Sequence, residues 1–196
     1  MKHMMSRLFL VLSFFVSSVL FFSIVASADI FIEPWVGYEG GTFKFDGAST
    51  AMSSSTTPPT SGTITGSNFG GRLGFKFLGF MVGGEYSYAG LSEKPSSGSS
   101  LSQKSTDGGV FVGFNFPMLL RVYATYFVSS SATVDTYVGD FSGSGYRAGV
   151  GFTGLPFVVI NVEAIGRDYN KYSGNAISGG DLKNTSVCVN ISLPLP

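Results

Sequence analysis

Apolar and aromatic residues recur at every second position in five stretches of the chain: Phe69–Phe77, Phe80–Tyr88, Leu120–Val128, Tyr146–Phe152 and Val158–Arg167. The intervening positions carry Arg72, Lys76, Glu85, Arg121, Arg147, Glu163 and Arg167 among glycines and small polar residues. Side chains alternate between the two faces of a strand, so each stretch reads as a strand with one oily face and one charged, small or polar face. A soluble sandwich would turn its oily faces into a core and its charges to water. Here almost every strand has such an oily face, which suits a barrel turned inside out for lipid.

Extended along the chain, the pattern predicts strands near 30–45, 68–77, 80–91, 108–116, 119–130, 141–153, 157–169 and 185–195. Leu78-Gly79, Pro117-Met118 and Gly154-Leu155-Pro156 read as tight turns. Segments 46–67, 92–107, 131–140 and 170–184 are rich in Ser, Thr, Gly, Asp, Asn and Lys, and read as long polar loops. Short turns on one side and long loops on the other give an all-β fold, an eight-stranded antiparallel up-and-down transmembrane β-barrel. Both termini then fall on the turn side. Strands of about ten residues match a tilted crossing of hydrocarbon, and closure leaves no unpaired edge in lipid.

Parity assigns the faces. Leu73, Phe75, Val82, Tyr86, Val110, Val112, Tyr126, Val128, Tyr146, Val150, Ile160, Val162, Val187 and Val189 point outward, with the tyrosines toward the loop ends, where rings meet the lipid–water boundary. In the first strand Ile30, Ile32, Val36 and Tyr38 take the outward parity, so Glu33, Trp35 and Glu39 point inward. Pro34 shares the outward parity, as it would at a bulge.

Met1–Ala28 has the order of a secretion signal: Lys2, His3 and Arg7, an apolar run from Leu8 to Val25, then Ala26-Ser27-Ala28 before Asp29. The run is long enough for an uncleaved anchor, but its serines and the Ala-Ser-Ala site favour cleavage. The expected organisation is therefore a signal peptide at 1–28 and a barrel domain at 29–196. Cleavage removes Lys2 and Arg7 and no acid, leaving 10 basic and 12 acidic side chains. That balance gives no electrostatic basis for nucleic-acid binding. The 27 glycines, without collagen period, suit a small barrel closing around larger inward side chains.

Two residue types narrow the chemistry. Cys188, the single cysteine, has no internal disulfide partner and lies on the polar parity of the last strand. The single histidine, His3, lies in the signal segment. A mature chain without histidine lacks the usual base of outer-membrane hydrolases and most transition-metal ligand sets. No catalytic residue, cofactor or metal is expected.

The stretch Gly143-Ser144-Gly145-Tyr146-Arg147-Ala148-Gly149-Val150-Gly151-Phe152 holds a Gly-Tyr-Arg-Ala-Gly-x-Gly pattern. With the strand plan of the whole mature chain, it resembles the small eight-stranded outer-membrane barrels of the OmpA and OmpX type. The resemblance implies a bacterial outer membrane, lipid as the main partner, and possible extracellular ligands at the long loops. That family usually ends on an aromatic residue, whereas this chain ends Leu193-Pro194-Leu195-Pro196.

The inward charges are Glu33, Glu39, Glu85 and Glu163 against Arg72, Lys76, Arg121, Arg147 and Arg167. An eight-stranded barrel is only just wide enough for its own side chains, so these charges should pair and plug the lumen. Glu163 with Arg147 is the most plausible pair, on adjacent strands at similar depth. Two alternatives stand beside a structural or surface-interaction role. One is a small pore lined by the same residues. The other is a secreted soluble barrel with an apolar ligand, which would need the faces reversed.

Overall fold

The structure is a computed structural model that describes residues 28–46, 60–96, 98–135, 139–177 and 181–195. The expected signal segment lies, apart from its last residue, outside the described residues. So does 47–59, within the first long loop.

Nine strands form one antiparallel sheet: β1 (Asp29–Phe45), β2 (Ser61–Phe77), β3 (Phe80–Pro95), β4 (Leu101–Phe116), β5 (Leu120–Val134), β6 (Asp140–Leu155), β7 (Val158–Tyr172), the two-residue β8 (Asn175–Ala176) and β9 (Leu182–Ser192). Each long strand pairs with its neighbour in sequence, β8 only folds back on β7, and β9 pairs with both β7 and β1. The eight long strands therefore close into a barrel with no free edge.

The faces fall as parity requires. Val36, Tyr38, Leu73, Val82, Tyr86, Val110, Tyr126, Val150, Val162 and Val189 are exposed outside, while Glu33, Arg72, Glu85, Arg147 and Glu163 are buried inside. That arrangement is the reverse of what a soluble barrel with an apolar lumen requires. Aromatic rings edge the belt at both ends: Phe80 packs on Phe114 with centroids 4.6 Å apart near the turns, and Phe69 on Tyr88 at 5.1 Å near the loops. A belt of this composition faces hydrocarbon bounded by two polar interfaces.

The turns are tight. Leu78-Gly79 joins β2 to β3 with both residues at positive φ, 47° and 86°, the two-residue hairpin geometry that follows strand twist. Leu119 (63°) and Phe157 (64°) occupy the same left-handed region in the other two turns.

Parts of the long loops read from the sequence are strand: 61–67, 92–95, 101–107, 131–134, 140, 170–172, 175–176 and 182–184. Strands of 15 to 17 residues exceed the roughly 9–11 that cross a bilayer. On the loop side they continue beyond the tyrosines, and there the faces change roles. Thr63, Lys94, Ser102, Lys104 and Thr133 are exposed outside. Phe43, Phe45, Ile64, Ala89, Leu91, Ala132, Val134, Phe141, Tyr169 and Leu182 pack together inside. Above the membrane the exterior meets water, so the wall becomes an ordinary soluble barrel end. Bulges contribute: β5 carries Val128 as an extra residue between its pairings with Gly109 and Gly108, which re-phases Ser130, Ala132 and Val134 toward the interior. No register shift occurs at Pro34, so the bulge reading there is corrected. Pro34 lies just past the last β1–β9 pair and offers only its carbonyl, which accepts from Leu193 N at 3.0 Å.

Candidate functional site

The interior is stratified along the barrel axis. Nearest the turns, Phe31, Met81 and Phe111 form an apolar cluster, with Phe31 edge-on to Phe111 at 5.5 Å. Beside it lies the first charged layer. Arg121 Nη1 donates to both oxygens of Glu33 at 2.6 Å, Arg121 Nε donates to Asn115 Oδ1 at 2.7 Å, and Ser192 Oγ donates to Glu33 Oε1 at 2.6 Å.

The middle layer is a closed ring of four alternating charges. Arg72 contacts Glu85 at 2.9 Å and Glu163 at 2.8 Å, while Arg147 contacts Glu85 at 2.8 Å and Glu163 at 3.4 Å. All four side chains are buried. Tyr123 Oη donates to Glu163, and Thr125 Oγ1 donates to Glu85 at 2.7 Å. The Arg72 guanidinium lies 4.6 Å from the centre of the Trp35 ring and 4.1 Å from that of Tyr123, so its face is covered as well as its edge. Room for these rings comes from glycine: a methyl at Gly70 would overlap Trp35, and one at Gly149 would overlap Tyr123.

Toward the loops a third layer centres on Arg167, paired with Glu39 and with Asp107, whose Oδ2 lies 2.9 Å from Nη2. Glu39 also accepts from Asn68 and Ser186, both at 2.6 Å, and Asp107 accepts from Ser130 at 2.6 Å. The apolar cluster of the strand extensions caps this layer. A buried charge is tolerable when opposite charges and hydrogen bonds replace its water. The layers supply opposite charges throughout, with Arg147 meeting Glu85 and Glu163 at ion-pair distance without hydrogen-bond geometry.

The structure brings together Glu33, Glu39, Arg72, Glu85, Arg121, Arg147, Glu163 and Arg167 of the residues singled out from sequence. The Glu163–Arg147 pair is present, as one side of the four-membered ring. Lys76 is not part of the network. It stands exposed at the turn-side mouth, because the lumen opens there. Asp107, assigned to a loop from its Ser-rich surroundings, is a buried member of the network. Its signal was the alternation Leu101, Gln103, Ser105, Asp107 at the start of β4. Cys188 is a buried thiol packed with Phe127 and Ile165. Among the described residues, no group of His, Cys, Asp and Glu has the arrangement of a metal site.

Glu93 sits apart, in the extension five residues past Tyr88 and outside the lipid-facing belt. It is buried between the cross-strand neighbours Ile64 and Leu101. Burial pushes its carboxyl up to about 7.

No protein-family model matches the chain, and no curated protein matches it in sequence. The fold does match solved structures. Neisserial surface protein A superposes with a TM-score of 0.55 at 12% identity, over 85% of this chain and 97% of that one. Ail, the attachment invasion locus protein of Yersinia pestis, solved with the heparin analogue sucrose octasulfate, superposes with a TM-score of 0.56 at 13% identity. That match covers 85% of this chain and 99% of Ail. The architecture is that of the eight-stranded bacterial outer-membrane barrels.

Proposed function

We propose that this chain is a non-enzymatic outer-membrane barrel, sealed by its own charged pairs, that acts as a rigid membrane unit and presents its loops at the cell surface. The observation that carries the reading is the ring Arg72–Glu85–Arg147–Glu163, which occupies the middle of the lumen with its charges satisfied pairwise. Beyond it, the apolar cluster around Phe43, Ile64, Leu91 and Phe141 closes the loop end. Among the described residues these two layers fill the lumen with paired charges and apolar side chains, which favours a sealed barrel over the small-pore alternative. The single histidine, His3, falls in the expected signal segment, which argues against hydrolase chemistry in the barrel.

The surface role draws on the strand extensions, which carry the ends of the long connections past the lipid-facing belt. Rigidly held loops often carry binding. Ail was solved with a heparin analogue, and a surface ligand is the corresponding proposal here.

The test is reconstitution of the full chain into planar bilayers, with a gel comparison of unheated and boiled samples. A heat-modifiable band in an outer-membrane fraction with no stepwise conductance is the expected result. Discrete conductance steps in the wild-type protein would sink the sealed-lumen reading. Loop binding is tested by replacing 47–59 with a short Gly-Ser turn and measuring retention of intact cells on immobilised heparin. Equal retention of the two strains would remove that loop as a ligand site.

A further inference from the structure

The turn-side mouth opens into a vestibule of about 670 Å³ that the charge network does not fill. This is the size of an ordinary small-ligand site, which runs roughly 300–1,000 Å³. Its wall is apolar where Phe31, Met81 and Val159 line it, and all three are buried. Its cations are Arg121 and Lys76.

We propose that this vestibule binds an amphiphilic anion, an acidic head on a single alkyl chain, with the head on Arg121 and Lys76 and the chain against Phe31, Met81 and Val159. Arg121 carries the argument. Its Nε and Nη1 are committed to Asn115 and Glu33, while Nη2 has no acceptor among the described residues. Nη2 is also not one of the sealed, unsatisfied buried atoms, so it faces the vestibule as a donor fixed in place by the other two nitrogens. A guanidinium anchored in this way presents its remaining edge to an oxyanion.

Lys76 is the second observation. It takes the inward parity of β2 at the rim, and no acid among the described residues lies within ion-pair distance of its Nζ. Asp29 stands opposite it on β1 without forming a pair. Two donors therefore line one chamber, whose wall is otherwise mainly apolar and includes the polar Asp29, Asn115 and Thr153. A small inorganic anion would leave the apolar wall wet, and a neutral lipid would leave both cations unused. A ligand with one charged end and one oily end uses both. Because the Arg121–Glu33 layer closes the inner end, the site retains its ligand rather than conducting it. Phe157, 85% exposed at the lip, gives the alkyl chain a route from either water or the adjacent leaflet.

The test uses the full chain in phosphatidylcholine nanodiscs with 13C-methyl methionine, read at Met81 and assigned with Met81→Leu. Decanoate should shift the Met81 methyl saturably, whereas decanol and sodium sulfate should not. Lys76→Glu, at an exposed position outside the ion-pair network, should weaken decanoate at least tenfold while keeping the heat-modifiable band. Lysophosphatidylglycerol, run in parallel, separates the sources. Saturation by decanoate alone supports a free acid as ligand, and saturation by the lysolipid alone supports a membrane lipid. No saturable shift with either, an equal shift with decanol, or unchanged affinity in Lys76→Glu would each overturn the site.

Discussion

Arg72 on β2 and Glu163 on β7 meet across the lumen, 91 residues apart in sequence, with Nη2 donating to Oε1 at 2.8 Å. Neither strand pairs with the other. The contact is therefore a direct tie between opposite walls, and the ring that contains it makes the lumen's charge balance a property of the whole barrel. Truncating Glu163 should be costly for that reason. Glu163→Ala leaves Arg147 with Glu85 alone and Arg72 with Glu85 and the more distant Glu33 at 3.7 Å, and the expected loss is about 3–5 kcal/mol. Removing Arg147 as well should cost less than the sum of the two single losses, because the second change takes away the uncompensated cation. Urea unfolding in lipid vesicles measures both, and strict additivity would contradict the ring.

Gly149 tests the packing behind the same ring. A methyl there would overlap the Tyr123 ring, whose hydroxyl donates to Glu163. Gly149→Ala should therefore destabilise by about 1–3 kcal/mol through overpacking. Tyr123→Phe in the same background should restore only part of the stability, since the methyl would meet the ring carbons Cζ and Cε2 as well as the hydroxyl oxygen. Full recovery in the double variant would assign the clash to the hydroxyl alone.

Glu93 predicts a pH dependence at the loop end. Its folded carboxyl is raised to about 7, above its ordinary value of 4.5, so the folded state holds the proton more tightly. The stability this contributes is complete below about 4.5 and is lost as pH rises toward 7. Glu93→Gln should have the wild-type urea midpoint at pH 4 and a higher midpoint than wild type at pH 8. Identical midpoints at both values would show that the carboxylate is solvated in the extension.

Leu78 offers a gain. It is 79% exposed and sits at φ 47° beside Gly79, where Asn-Gly is the preferred pair. Leu78→Asn should stabilise by about 1 kcal/mol by relieving a left-handed leucine. A lower midpoint in vesicles but not in micelles would show instead that the leucine is held by lipid.

The sequence by itself determined the strand parity of the membrane belt, from Phe69 to Arg167, and with it the inside-out sense of the barrel. The physical reason is local. A period of two is written into the order of residues, and only the lumen can hold Arg72, Arg147 and Glu163. Tertiary structure decided what that period cannot encode. The bulge at Val128 re-phases the end of β5, and the Ser- and Thr-rich runs at 61–67 and 101–107 become strands because their inward residues, Ile64 and Asp107, meet partners from distant strands. Depth along the axis separated Lys76, at the open mouth, from Arg72 four residues earlier in the sealed ring. Both lie on the same face of the same strand. Only the closure of the barrel, which sets what stands opposite each of them, gives one a salt bridge and leaves the other facing an open chamber.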